Sequence, residues 1–292
     1  MQKKIVNSLD ILHVWAIADT SKVLCNEMVK KGYNTKVMIR KDLDIIKFGE
    51  FKKDQTIYTS LPSSKWFLLK LLYFIKKKNV KIVHLHVVYR LARWIKKINP
   101  DVKLILHLHG SDIRGKWSEL SEYLTRYSDK IVVSTPDLLI GAPQGVDYIP
   151  NPINRELFDS LEKQPENKKG LFMKLLYNQE KALSLAFQCQ EKYNIDLTIL
   201  DRDKNEIITY LEFPSFINQF TYFIDIKQGY TKDTNYILDD WSVTALQFLY
   251  LKKYVIRYED GDFVVYHNHI DFVQIFDEII TKWQRIYEDL GL

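Results

Sequence analysis

The stretch ILHLHGSDIRG, residues 105–115, decides how this chain is read. An apolar run carries two histidines one residue apart, then breaks at Gly110 into Ser111, Asp112 and Arg114. Side chains alternate along a strand, so His107 and His109 share one face while Leu106 and Leu108 share the other. In open parallel sheets ligands sit beyond the carboxyl ends of the strands, which puts His109, Ser111, Asp112 and Arg114 where a site belongs. Asp112 can orient His109 or accept hydrogen bonds from a ligand hydroxyl, and Arg114 can meet a phosphate or carboxylate. Asp112 also has a plainer reading as a turn cap, and His107 one as a satisfied core histidine. His107 is expected to be of that core kind. His109 and Asp112 are expected at a site, because they stand where the strand ends.

Outward from this stretch the first half of the chain alternates. Short β-rich runs at 9–15, 35–39, 80–88, 102–109 and 130–134 are separated by helical patterns near 20–31, 65–78, 89–98 and 116–127. Strands apolar on both faces, alternating with helices, indicate α/β architecture with a parallel sheet covered on both sides. The segment TPDLLIGAPQGVDYIPNPINREL, 135–157, holds four of the eight prolines and two of the ten glycines, a loop chemistry that marks the end of a first domain. DSLEKQPENKKG, 159–170, reads as an exposed linker. Beyond it, strands at 196–200, 221–226 and 254–258 and helices at 173–192, 241–251 and 271–287 make a second, smaller α/β domain. The expected division is 1–155 and 156–292, with the C-terminal helix able to pack back on the first domain.

A chain of 292 residues is long enough for two such cores. A hydrophobic content of 46% with 27% charged residues excludes disordered and fibrous classes. The net charge of +5 suits a protein that meets phosphates, but the lysine clusters at 76–78 and 96–97 are short and sit at helix ends, so no nucleic-acid partner is expected. Cys25 and Cys189 lie in apolar, helix-like segments and form no disulfide framework, which favours a reducing compartment. The N-terminus, MQKKIVNSLDILHVW, starts positive like a signal peptide, yet Asn7, Ser8, Asp10 and His13 interrupt its apolar part. No uninterrupted apolar run approaches the ~20 residues of a membrane span. A cytoplasmic protein is expected. In KWFLLKLLYFIKKKNVK, 65–81, nine of the eleven residues from Lys65 to Ile75 are apolar, which reads as a core helix ended by lysines. The alternative is a basic helix, 65–78, lying on the anionic inner membrane face.

Every histidine except His13 belongs to a His-x-His pair, at 84/86, 107/109 and 267/269. Such pairs on one strand face can chelate zinc or iron. Against a metal-dependent hydrolase, no Cys or Glu stands beside them at ligand spacing, and the pair at 267/269 falls in the other domain. No metal is expected.

The run VKIVHLHVVYRLARWIKKINPDVKLILHLHGSDIRG (80–115), with SDKIVVSTPDL (128–138) and YIPNPINRELF (148–158), resembles the N-terminal domain of the family 4-like glycosyltransferases of the GT-B fold. The family's His-Gly-x-Asp turn matches His109, Gly110, Ser111 and Asp112, and its crossing into the second domain matches Ile149, Pro150, Asn151, Pro152, Ile153 and Phe158. The resemblance returns more faintly at FPSFINQFTYFIDIK (213–227) and ILDDWSVTALQFLYLKKYVI (237–256). There Asp225 matches a strand-ending aspartate, and Ser242 and Thr244 match the start of the donor-binding helix, whose free N–H groups would face a diphosphate. The family's ribose-binding Glu falls on Gln247 and its partner acid on Asp239.

The resemblance implies two Rossmann-like domains facing a cleft, the second smaller and divergent. It implies a glycosyltransferase that moves a sugar from a nucleotide-sugar to a glycan or lipid-linked acceptor, retaining anomeric configuration and needing no cofactor. His109 would contact the sugar, Asp112 would orient it, and Asp225, Asp239, Ser242, Thr244 and Gln247 would hold the donor. Asp19, Thr20, Ser21, Ser111, Arg114 and Asn151 would supply phosphate or acceptor contacts. The chain departs from the pattern in several places. AIADTSK (16–22) replaces the glycine-rich loop, Gln247 lacks the family's negative charge, and Lys252 stands where a glycine follows the donor helix. The family's phosphate-neutralising Gly-Arg and Lys have no clear counterpart, Arg202, Lys174 and Lys181 being the stand-ins. These departures leave a second implication, a non-catalytic subunit of the same fold that holds an active partner.

Overall fold

The computed structural model describes residues 8–15, 20–60, 63–110, 112–174, 179–201, 204, 207–230, 235–237, 241–267 and 272–292. The chain divides into two compact units, Met1–Pro152 with Phe276–Leu292, and Ile153–Ile275.

The first unit is built on β1 (Ile11–Val14), α1 (Thr20–Lys30), β2 (Thr35–Arg40), β3 (Thr56–Thr59), α2 (Ser64–Lys77), β4 (Ile82–His86), α3 (Ala92–Ile98), β5 (Lys103–Leu108), α4 (Trp117–Arg126), β6 (Lys130–Val133) and β7 (Val146–Tyr148). Its seven strands run in the order β3-β2-β1-β4-β5-β6-β7, and every pairing is parallel. The order reverses between β1 and β4, the switch point at which such sheets open to a ligand. Alternation sorts the side chains into two cores. Leu12, Val14, Val83, Leu85, Leu104, Leu106 and Leu108 point to the face covered by Phe67, Leu71 and Ile75 of α2. Ile11, Ile82, Ile105 and Val132 point to the other, where Val23, Leu24 and Met28 of α1 meet them. Each such fully buried aliphatic contributes about 1.5–3 kcal/mol.

The second unit contains α5 (Arg155–Phe158), β8 (Lys169–Lys174), α6 (Glu180–Tyr193), β9 (Asp196–Asp201), α7 (Phe213–Ile217), β10 (Tyr222–Ile224), a hairpin of β11 (Gln228–Tyr230) and β12 (Asn235–Ile237), α8 (Val243–Tyr250), β13 (Tyr254–Glu259) and β14 (Asp262–Tyr266). Its sheet has the order β14-β13-β10-β8-β9, parallel except for the β13–β14 hairpin. α8 packs Ala245, Phe248 and Leu249 against Leu171, Phe223 and Val255. α6 covers the opposite face, against Phe172, Ile224 and Ile256. The last helix, α9 (Phe272–Asp289), completes the first unit: Phe276, Ile279, Ile280, Trp283, Ile286 and Tyr287 close the face that carries Ile11, Ile82 and Ile105.

Four elements, β3, β7, β8 and α2, differ from the sequence expectation. β3 and β7 are short strands at the two edges of the first sheet, and only Thr59 of their seven residues is buried, so neither carries an apolar run. β8 begins inside the expected linker and occupies the start of the expected helix at 173, because GLFMK reads apolar under either periodicity. α2 is not a wholly buried helix. It buries Phe67, Leu71 and Ile75 and leaves Trp66, Leu69 and Tyr73 more than half exposed, at 57%, 56% and 63%.

Candidate functional site

Two groups of chemistry-bearing residues stand at strand ends, one in each unit. In the first unit the period-2 alternation that sets Ile11, Ile82 and Ile105 inward carries the next inward positions to histidine. His13 of β1 lies beside His84 of β4, and His86 lies beside His107 of β5. His109 follows on the same face, its ring centroid 4.1 Å from that of His107. Five imidazoles thus form one layer, with neighbouring centroids 4.1–5.8 Å apart. Trp283 of α9 lies over it at 4.7 Å from His84 and 4.8 Å from His107.

Two hydrogen bonds order this layer: His13 Nδ1 to His86 Nε2 at 3.1 Å, and His84 Nδ1 to the Tyr287 hydroxyl at 2.8 Å. Among the described residues His13 Nε2, His84 Nε2, His86 Nδ1 and both nitrogens of His107 are buried with no partner, and the buried His109 ring has the Asn151 side chain beside it. Burial removes water from the charged form and drives every ring toward neutrality. His13 and His109 are pushed down to about 3, His109 against an opposing contact from Asn151. His84, His86 and His107 fall well below the usual histidine range for the same reason, reinforced by neighbouring histidines. Two triads bring ring nitrogens within 4.8 Å of one another, His13/His84/His86 and His86/His107/His109.

Several expectations change here. His107 is buried, as a core histidine should be, but it is not satisfied, since neither nitrogen is bonded among the described residues. The His109 residue is half-buried, yet both its ring nitrogens are closed off from solvent. Asp112 is held by main chain. Its Oδ1 accepts the N–H groups of His109 at 3.1 Å and Gly110 at 2.8 Å, so it is the cap of the turn. Burial pushes its carboxyl upward, partly opposed by those two bonds. Gly110 has φ +142°, and a Cβ there would lie 3.3 Å from the Arg114 guanidinium. Arg114 is itself paired, its Nε 2.7 Å from Asp137.

Thr20 and Asn151 do come together. The Thr20 hydroxyl donates to the Asn151 side-chain oxygen at 2.8 Å, tying the start of α1 to the chain after β7. Thr20 and Ser21 are fully buried. Beside them Lys22 is also fully buried, donating to Lys52 O and Thr56 Oγ1, and burial lowers its ammonium to about 8. Asp19 and Ser111 lie outside the described residues.

In the second unit Asp225 follows β10. The register that pairs Phe223 with Val255 brings Asp225 alongside Arg257 of β13, on the face covered by α8. Ser242 caps α8, its Oγ accepting the Ala245 N–H at 3.0 Å, while its own N–H donates to Asp225 at 3.2 Å. Burial pushes the Asp225 carboxyl upward, opposed by Lys227, Ser242 and Arg257. The Arg257 guanidinium lies 4.7 Å over the Trp241 ring and pairs with Glu259. Thr244 is half-buried on the first turn of α8, and Gln247 is buried one turn on. Asp239 and Arg202 lie outside the described residues, and Lys174 is bound to Asp201 at 3.3 Å.

Sequence reasoning did not find Arg257, although an arginine interrupting the apolar strand YVIRY marks a buried charge with a partner. It also left His13 unpaired, because the parallel neighbour relation of β1 and β4 has no signal in spacing. A concavity of about 270 Å³ in the second unit is lined by Thr221, Tyr254 and His267. It opens at the amino ends of β10 and β13, away from Asp225 and Ser242.

No protein-family model matches the chain, and no curated protein matches it. Solved structures do. The apo structure of OtsA aligns over 98% of this chain and 99% of its own, at 12% identity and a TM-score of 0.55. UDP-GlcNAc 2-epimerase from Methanocaldococcus jannaschii aligns over 98% and 93%, at 13% identity and 0.52. The enzyme of that name from Neisseria meningitidis, bound to UDP-GlcNAc, aligns over 97% and 94%, at 13% and 0.51. The likeness is one of fold: two Rossmann-like domains of the GT-B kind.

Proposed function

We propose that this GT-B-like chain is a glycosyltransferase moving a hexosyl group from a nucleotide-sugar to an acceptor with retention of configuration, the chemical step needing no metal. The observation that carries the reading is the grouping of Arg257 and Asp225 beneath the Ser242-capped start of α8. A leaving nucleoside diphosphate gathers negative charge on its phosphates. The positive end of the α8 dipole, with Arg257 and Lys227 nearby, stabilises that charge without a metal. Thr244, Gln247 and Asp239 are the candidates for the donor's hydroxyls. The UDP-GlcNAc bound to a structure of the same fold supports a nucleotide-sugar as donor. In the first unit Asn151 and Arg114 are the acceptor-side candidates, with Asp112 acting through the turn it caps.

A lipid-linked acceptor at the inner membrane face is supported by one surface of the first unit. Trp66, Leu69, Tyr73 and Trp94 are exposed there, interleaved with exposed Lys65, Lys70, Lys76, Lys77, Arg93 and Lys97. Among the described residues no helix is long and apolar enough to cross a membrane.

The test is turnover by the purified chain with a panel of nucleotide-sugars and lipid-linked or glycan acceptors. Product formed by the chain alone supports the enzyme. A non-catalytic subunit is favoured by the engagement of Asp112 with main chain and by the closed-off nitrogens of His109. Turnover that appears only when a second chain is added decides for that reading.

A further inference from the structure

We infer that His86, His107 and His109 form a binding site for a single divalent transition-metal ion of the zinc type. The three side chains bring ring nitrogens within 4.8 Å of one another from two adjacent parallel strands. His86 Nδ1 and both nitrogens of His107 are shut off from solvent and unbonded among the described residues, and both nitrogens of His109 are shut off from solvent with the Asn151 side chain beside that ring. A buried polar atom left so is destabilising. One ion accepting a lone pair from each ring engages a nitrogen of all three at once.

The chemistry of the donor set selects the ion. Burial keeps the three imidazoles neutral, the form that ligates. Imidazole without carboxylate or carbonyl oxygen suits zinc, cobalt, nickel or copper and discriminates against calcium and magnesium. Bonds of ~2.0 Å in tetrahedral geometry set ligand nitrogens about 3.3 Å apart, so the rings draw inward by up to about 1.5 Å on binding.

The bond between His13 Nδ1 and His86 Nε2 decides between the two triads. It engages the nitrogens by which those two rings face each other, so their other nitrogens point apart. An ion held by His13, His84 and His86 would have to break it. An ion held by His86, His107 and His109 uses it: His86 Nε2–H donates to His13, which fixes the tautomer that leaves Nδ1 a lone pair. His13 is then a positioning residue. His109 is the one residue of the three that is not fully buried, so it lies on the ion's way in, whereas all three members of the other triad are fully buried. Three neutral ligands leave the double charge uncompensated, so the fourth ligand is anionic, hydroxide being the simplest. The inference does not depend on the donor site of the second unit.

The test uses the full chain without a histidine tag, stripped with chelator and titrated with Zn²⁺ and Co²⁺ by calorimetry and visible absorption. One ion per chain is expected, with cobalt bands of four-coordinate intensity and a raised Tm. His107→Gln and His109→Gln are each expected to weaken binding by at least roughly a hundredfold, and His13→Phe by about ten- to a hundredfold. His84→Gln should leave affinity unchanged within about threefold, since it removes only a neighbour. Circular dichroism establishes that each variant is folded. Should His107→Gln not fold, the wild-type stoichiometry and His109→Gln still decide. Absence of stoichiometric binding by the wild type overturns the inference. So does loss of binding in His84→Gln, or its survival in His109→Gln.

Discussion

The Gly110 N–H donates to Asp112 Oδ1 at 2.8 Å, and the same oxygen takes the His109 N–H at 3.1 Å. This carboxylate holds the turn that ends β5, so its chemistry is architectural at a place where a ligand-binding role also fits the sequence. Charge-assisted bonds of this kind are worth about 1.5–3 kcal/mol. Asp112→Ala is expected to lower unfolding free energy in urea by about that amount, and Asp112→Asn, which keeps one acceptor, by less. An unchanged midpoint in Asp112→Ala would show that the turn holds without its cap.

The histidine layer predicts acid sensitivity. Burial pushes His13 and His109 down to about 3 in the folded chain and holds His84, His86 and His107 well below the unfolded value of ~6.5. Between those limits the unfolded chain binds more protons, so stability is complete above pH ~6.5 and is lost as pH falls toward 3, by about 1.4 kcal/mol per pH unit for each ring. Asp112 and Asp225, whose carboxyls are raised, act in the opposite sense but are two groups against five. Urea midpoints measured from pH 7.5 to 4.5 in metal-free buffer should fall steeply below 6.5. A flat profile would contradict a neutral, buried layer.

Tyr287 supplies the one described partner of His84 Nδ1 from outside the histidines. Tyr287→Phe keeps the ring that packs on α1 and β4 but leaves a buried nitrogen unmatched, and should cost about 1–3 kcal/mol in thermal unfolding. A loss under ~0.5 kcal/mol would mean that the imidazole finds another bond.

The surface of α2 predicts reversible membrane binding. Liposomes containing anionic lipid should retain the chain, and those of neutral lipid should not. Charge reversal of Lys70, Lys76 and Lys77 or Trp66→Ser should release it, since each basic residue near such a surface contributes about 1 kcal/mol. Flotation unaffected by either change would remove the membrane from the account.

The first unit was the more legible because its central strands are apolar on both faces, and that doubles the signal of a parallel sheet. β1, β2, β4, β5 and β6 were visible for this reason, and so was the placement of His109 and Asp112 at a strand end. Edge strands such as β7, with no buried residue, leave no such trace. The contacts of Asp112 and His109 were not legible. Spacing puts a side chain at a strand end but does not say whether the main chain or its neighbours take its polar atoms. The grouping of Arg257 with Asp225 depends on the register of β10 and β13, residues 30 or more apart in sequence, and no local pattern encodes it.

Calorimetric titration of the full chain with nucleoside diphosphates is the most direct measurement of the central claim, that the start of α8 with Arg257 receives a donor's diphosphate. The account predicts one site per chain, weakened at least roughly tenfold by Arg257→Met, while Lys252→Ala at the far end of α8 leaves it unchanged. No binding of any nucleoside diphosphate, or binding indifferent to Arg257→Met in a folded variant, would contradict it.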